Sequence, residues 1–262
     1  MNANADWLRR RRWRLLNSVT EPEPEPEPQN VIDSYTWDLA YDAKDATLTD
    51  WPALAGDITL AALSTPTLNI ATTGLLEAGI GSARVDKAVQ AGSSGGFRLN
   101  DAYEMFGGPY HLRMLVYLRH PSATAYLLNI YDYTTRQFRI TMSTSNALYF
   151  YTYFGGAASN LPADVSIDLD GWNLIDIVID PTGGSGGVIS ARWYINGVEG
   201  SSVEGGAEID MIYPNLDVMV LNSPTDASAT NADLLFVGHR RLSSAGDFTL
   251  AQHQSDVALL GL

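Results

Sequence analysis

From residue 31 onward, apolar and polar side chains alternate with a period of two, the signature of half-buried strands. In YHLRMLVYLR (110–119), Leu112, Met114, Val116 and Leu118 fall on one side; His111, Arg113, Tyr117 and Arg119 fall on the other. RQFRITMS (136–143) sets Phe138, Ile140 and Met142 against Arg139, Thr141 and Ser143. GWNLIDIVID (171–180) alternates Asn173, Ile175, Ile177 and Ile179 with Trp172, Leu174, Asp176 and Val178. VISARWYINGV (188–198) runs into Asn196-Gly197, a dipeptide suited to a two-residue hairpin turn. SYTWDLAY, DITLAAL, ARVDKAVQ, GFRLN, TAYLLNIYDY, NALYFYTYF, NLDVMVLN and ADLLFVGHRRL add further strands, and clusters such as PTGGSGG (181–187) separate them. About twelve short strands and few helical stretches predict an all-β fold, an antiparallel β-sandwich. Within this body, helical periodicity is confined to DFTLAQHQSDVALL (247–260), with Asp247 as its cap. No unit of 20–50 residues repeats, which argues against a propeller or solenoid.

The 262 residues suffice for one sandwich and a short head, and 45 % hydrophobic residues permit a large core. With no cysteine, a disulfide framework, a thiolate zinc site and a cysteine nucleophile are all excluded. His111, His120, His239 and His253 form neither an HExxH motif nor a close pair. The net charge of −14 belongs wholly to the body, which holds 11 basic and 25 acidic residues from 31 onward. Such a surface repels phosphates, so a broad nucleic-acid face is not expected. No run approaches the ~18 apolar residues of a membrane span, and no targeting segment is read at the start.

The head has a different character. Residues 1–20 hold Arg9, Arg10, Arg11, Arg12 and Arg14 beside Trp7 and Trp13. With Asp6 as cap, they predict a short helix with Leu8 and Leu15 on one face, which orders only against a partner. Residues 21–30 contain EPEPEPEP, predicted to form an extended polyproline-II spacer of about 3.1 Å per residue. The expected organisation is therefore an anchor (1–20), a spacer (21–30) and a sandwich (31–262). The arginine block is the one place where phosphate contacts are expected.

The order of features in DLDGWNLIDIVIDPTGGSGGVISARWYINGVEGSS (168–202) resembles the laminin-G-like, concanavalin-A-like jelly-roll family. The resemblance is carried by Gly171-Trp172 entering a strand, a glycine-rich hairpin from Gly183 to Gly187, and Trp193-Tyr194-Ile195-Asn196-Gly197 closing the next strand. The closing ADLLFVGHRRLSSAGDFTLAQHQSDVALL is similar to that family's last strand and helix, and GGFRLNDAYEMFGGPYHLRMLVYLRHP (95–121) is similar to an earlier strand pair. The resemblance implies a jelly roll across roughly 31–262, a fold that hosts lectins, glycan hydrolases and structural modules.

It also directs attention to EIDMIY (208–213). Related jelly-roll glucan hydrolases carry Glu-x-Asp and a second glutamate on one strand, and a retaining mechanism needs two carboxyl groups about 5–5.5 Å apart. Glu208 and Asp210 match the first two positions, but Ile212 and Tyr213 stand where the second glutamate is required, so catalysis is not expected. GSSGG (92–96) has the letters of a nucleophile elbow around Ser94 but sits in a small-residue loop, and reads as a turn. Asp168, Asp170 and the carbonyls after Asp180 are candidate calcium ligands, with hairpin-turn chemistry as the competing reading. NALYFYTYF places Tyr149, Tyr151 and Tyr153 on one face, a candidate glycan or partner surface.

These readings combine into an expectation: a non-enzymatic virion protein of a tailed bacteriophage, such as a head decoration, fibre or tail appendage. It would assemble in bacterial cytoplasm as a homo-oligomer and dock on other virion proteins through residues 1–30. The sandwich would then bind host-surface glycan or cement the particle. The alternatives are a jelly-roll glycan hydrolase using Glu208 and Asp210, and a free carbohydrate-binding lectin.

Overall fold

The structure, a computed structural model, describes residues 30–56, 58–91, 96–105, 108–121, 124–131, 136–154, 157–205, 213–221 and 232–262. Its strands are β1 (Leu39–Asp42), β2 (Asp50–Pro52), β3 (Thr59–Ala62), β4 (Thr67–Ile70), β5 (Ala88–Gln90), β6 (Phe97–Met105), β7 (Tyr110–Leu118) and β8 (Ala125–Tyr131). They continue with β9 (Arg136–Met142), β10 (Leu148–Phe154), β11 (Ala157–Pro162), β12 (Gly171–Asp180), β13 (Ile189–Ile195), β14 (Val198–Gly205), β15 (Tyr213–Val220) and β16 (Ala232–Arg241). Two short α-helices, α1 (Glu77–Ile80) and α2 (Leu250–Leu260), complete the framework. All pairings are antiparallel, in two eight-stranded sheets: β14-β13-β12-β7-β16-β5-β4 with β1 also on β16, and β11-β10-β9-β8-β15-β6-β3-β2.

The all-β sandwich expected from the alternation is what forms. Leu112, Met114 and Val116 of β7 register with Ile177, Ile175 and Asn173 of β12, giving one largely aliphatic face. Leu128, Ile140, Met142, Leu148 and Phe150 of the other sheet are buried in the same core. Asn196-Gly197 turns β13 into β14 with φ of 47° and 85°, left-handed values that suit this dipeptide. The helix read at 247–260 is present as α2, where Thr249 and Gln252 form a capping box and Gly261 closes the C-terminus in the left-handed region.

Two readings change. ARVDKAVQ is not one strand: Ser82–Arg84 is a 3-10 turn, and only Ala88–Gln90 is extended. Arg84 is held there by Asp42 (2.5 Å), Asp33 (2.8 Å) and the carbonyl of Ile80 (2.9 Å), a tertiary demand that overrides local strand propensity. The second change concerns the polar side of β7. His111 and Arg113 are fully buried, because residues 30–37, Phe248 and α2 cover that face. The anchor expected at 1–20 and the spacer expected at 21–30 lie outside the described residues except for Asn30, which is buried and accepts the N–H groups of Ile32 and Asp33 at the start of the sandwich.

Candidate functional site

The covered face of the first sheet is organised around Asp176. Its Oδ1 accepts hydrogen bonds from His111 Nε2 (2.7 Å) and Arg113 Nε (2.7 Å). Its Oδ2 accepts from Arg113 Nη2 (2.9 Å) and His253 Nδ1 (2.6 Å). All four acceptor positions of the carboxylate are thus used. The other ring nitrogens fix both tautomers: His111 Nδ1 accepts from Arg240 Nε (2.9 Å), and His253 Nε2 accepts from the Gly197 N–H (3.0 Å). Arg113 also donates to Asp256 on α2 (2.6 Å) and to the carbonyl of Val31 (2.8 Å), and Asp256 accepts from Tyr35 (2.7 Å). Burial pushes the imidazole of His111 down to about 4 against the pull of Asp176. Burial would raise the Asp176 carboxyl, but the Arg113 charge and the histidine N–H groups hold it well below the usual carboxylate range. This network is closed to solvent. Its role is to clamp the 31–35 segment and α2 onto the sheet.

Further along the same face the cover ends, and a cleft of about 500 Å³ opens. The register builds its floor. Trp172 of β12 lies opposite Tyr117 of β7, Tyr117 opposite Asp233 of β16, and Asp233 opposite Gln90 of β5. Four adjacent strands therefore present an indole, a phenol, a carboxylate and an amide in one row. The two rings meet edge to face at 5.6 Å and 78°. Arg119, just past the end of β7, folds back over Tyr117, with its guanidinium carbon 4.8 Å from the ring centroid. It donates to both oxygens of Asp233 (2.8 and 2.5 Å), and Gln90 adds a third hydrogen bond to Oδ1 (3.0 Å). Hydrogen bonding to Asp233 pushes the guanidinium pKa up.

The walls are Ile70, Ala71, Thr73 and Gly74 on one side, Asp170 and Gly171 on another, and Leu262 beyond. The 168–171 turn is pinned by Asn173, which donates to the carbonyls of Asp168 (2.8 Å) and Gly171 (3.1 Å), and by Asn196, which donates to Asp168 Oδ2 (3.0 Å). Tyr117 donates its hydroxyl to the Asp170 carbonyl (2.6 Å). The Cδ1 edge of Trp172 faces Gly74, 3.9 Å from where a Cβ would stand. The adjoining indole N–H is buried with no hydrogen-bond partner among the described residues.

Among the sites read from sequence, Tyr149 and Tyr151 do share a face of β10, half-buried. Arg139 lies opposite Tyr151 on β9, its guanidinium carbon 4.0 Å from that ring centroid and 5.3 Å from Tyr126. Tyr153 is in the same strand, but its side chain is outside the described residues. Of the calcium candidates, Asp168 Oδ2 accepts from Asn196 (3.0 Å) and Asp170 stands in the following turn at a left-handed φ of 54°. No group of three or more acidic or histidine side chains able to hold a metal occurs among the described residues. Trp7, Arg9, Arg10, Arg11, Arg12, Trp13, Arg14, Ser94, Glu208 and Asp210 lie outside them. Sequence reasoning passed over the cleft residues. The alternation puts Tyr117, Arg119 and Trp172 on polar or mixed faces, and their meeting with Asp233 depends on strand order.

No protein-family model and no curated protein matches the sequence. Solved structures do share the fold. Domain 4 of an extracellular arabinanase from Geobacillus stearothermophilus, in complex with arabinotriose, matches 85 % of this chain and 98 % of that domain with a TM-score of 0.53 and 14 % identity. A Trypanosoma rangeli sialidase in complex with sialic acid matches 85 % of this chain with a TM-score of 0.51 and 13 % identity. The chain spans about a third of that sialidase, 33 % of its length. The expectation of a protein outside enzymology is corrected by this finding: the sandwich occurs in a sialidase and in a domain of an arabinanase, both glycan-acting enzymes. At these identities the likeness establishes the fold alone. The virion expectation gains no support from these likenesses.

Proposed function

We propose that the chain is a glycan-acting protein whose cleft beside Trp172 and Tyr117 holds an oligosaccharide. The observation that carries this reading is the composition of the cleft: two aromatic side chains and an ion pair with spare hydrogen-bonding capacity lining about 500 Å³. A sugar ring offers C–H faces to aromatic plates and hydroxyls to such polar groups, and pockets of this volume suit small ligands. The arabinanase domain, which shares the sandwich over nearly its whole length, was solved with arabinotriose and supports the same ligand class.

The test is titration of the full chain by calorimetry against arabino-, xylo-, cello- and malto-oligosaccharides. At least one series binds, and Trp172→Ala, still folded by circular dichroism, loses that binding at least tenfold. Binding that survives Trp172→Ala unchanged places the ligand elsewhere and overturns this site. A second reading is that the chain hydrolyses a glycan through Glu208 and Asp210, with another acid in place of the glutamate missing at 212–213; the arabinanase and the sialidase that share the sandwich favour it. Hydrolysis of a glucan panel that disappears in Glu208→Gln supports it; wild type inert across the panel contradicts it.

A further inference from the structure

The charge arrangement of the cleft carries the ligand assignment one step further, resting on the reading just given. We infer that the site selects neutral oligosaccharides and rejects acidic ones, sialic and uronic acids included. Arg119 is the cationic side chain in the cleft lining, and it is already matched: two of its N–H groups clasp Asp233 Oδ1 and Oδ2. Recognition of a sugar carboxylate by arginine uses that same two-pronged geometry, so an acidic ligand must compete with a carboxylate held in place by the sheet. Asp233 cannot yield by turning away. It is buried to 2 % exposure and tied to Gln90 as well. Asp170, on the adjoining wall, adds another negative charge close enough to act on Arg119. The field at the site is therefore neutral to negative, inside a chain of net charge −14.

What remains free suits hydroxyls. A guanidinium has five N–H donors and the clasp uses two, leaving three. Asp233 accepts three hydrogen bonds of about four, leaving one acceptor on Oδ2. Donors in excess, with one acceptor beside them, match vicinal hydroxyls, each of which both gives and takes a hydrogen bond. A carboxylate can only accept, and it brings a charge the site has already balanced.

The experiment titrates the full chain with matched neutral and acidic probes, arabinotriose and lactose against sialyllactose and digalacturonate, at low and high salt. Wild type is expected to bind a neutral probe and to bind the acidic ones at least about tenfold more weakly, since like-charge juxtaposition costs more than the 1.4 kcal/mol that tenfold represents. In Asp233→Asn the clasp loses its charge, and acidic probes gain relative to neutral ones, with the gain shrinking at high salt. An acidic probe that binds wild type as tightly as a neutral one, and is lost in Trp172→Ala, overturns the selectivity but leaves the glycan site standing. If no probe of either class binds, the glycan reading itself falls, and this inference with it. The wild-type comparison decides between these outcomes even if Asp233→Asn folds poorly.

Discussion

Replacing Asp176 with asparagine changes one oxygen to an NH2 group, with almost no change in volume. The consequence is set by what surrounds it: four N–H donors, from His111, His253 and twice from Arg113, converge on the carboxylate. An asparagine oxygen serves two of them, and its NH2 group then confronts the other two. A histidine tautomer shift relieves one conflict only by creating another, because His253 Nε2 accepts from Gly197 and His111 Nδ1 accepts from Arg240. Arg113, with no exposed surface, is left with Asp256 as its carboxylate partner. Breaking a buried ion pair from one side costs about 3–5 kcal/mol. For a chain of this size that corresponds to a fall in Tm of about 6–20 °C. Urea unfolding followed by tryptophan fluorescence measures it directly, with thermal unfolding as a check. The apolar double variant Arg113→Met/Asp176→Leu removes that pair but strands the buried Asp256, Arg113's other partner, and leaves the His111 and His253 N–H groups without an acceptor, so it should recover little of the loss. A loss below about 1 kcal/mol in Asp176→Asn would refute the claim that this network clamps the arm and α2 to the sheet.

Acid should weaken the protein before its carboxylates titrate. The folded state holds His111 neutral down to about 4, whereas the unfolded chain takes up that proton near 6.5, so stability is full above 6.5 and falls as pH drops toward 4. That shift amounts to about 3 kcal/mol, and His239, also pushed down to about 4 by burial, adds loss in the same window. Urea midpoints measured from pH 7.5 to 4 check this; a flat profile contradicts it. At Gly79 an added Cβ would stand 2.4 Å from the Leu259 carbonyl oxygen and 2.8 Å from the Leu260 Cα, so Gly79→Ala drives α1 and α2 apart. The expected cost is about 2 kcal/mol, with faster amide exchange along 250–260, and unchanged exchange there would contradict the close approach. On the other sheet, Arg139→Ala removes the cation above Tyr151 and should leave oligosaccharide affinity at the cleft unchanged, since Arg139 lies on the other sheet. A large loss of affinity would move the site to the Tyr149–Tyr151 face.

The strands were legible wherever both residue type and period agreed, as in 110–119, 136–143 and 171–180. The short edge strands Asp50–Pro52, Thr67–Ile70 and Ala157–Pro162 were not, because each is brief, carries proline or polar residues, and is fixed by its neighbour in the sheet. His111 and Arg113 read as the polar side of their strand, and Asp176 as one polar residue among Trp172, Leu174 and Val178, because one strand's alternation records polarity and says nothing of what packs over it. The partners that cover them, His253, Val31 and Asp256, lie 77 to 143 residues away along the chain. The cleft was hidden for a related reason. Trp172, Tyr117, Asp233 and Gln90 sit on four strands that are neighbours only through the order β12-β7-β16-β5. The turn at Asn196-Gly197, by contrast, is a local matter of two residues at positive φ, and there the sequence was sufficient.

The most direct test of the account is the indole N–H resonance of Trp172 in a 15N-labelled full chain. The chain has six tryptophans, and Trp172→Phe assigns the signal by its disappearance. Titrated with arabinotriose and then with the other neutral oligosaccharides, that resonance is expected to move saturably, as a ligand seated in the cleft changes the surroundings of the ring. If an oligosaccharide binds while the Trp172 indole stays fixed, or none of the neutral series moves it, the cleft is not the glycan site and the central claim is wrong.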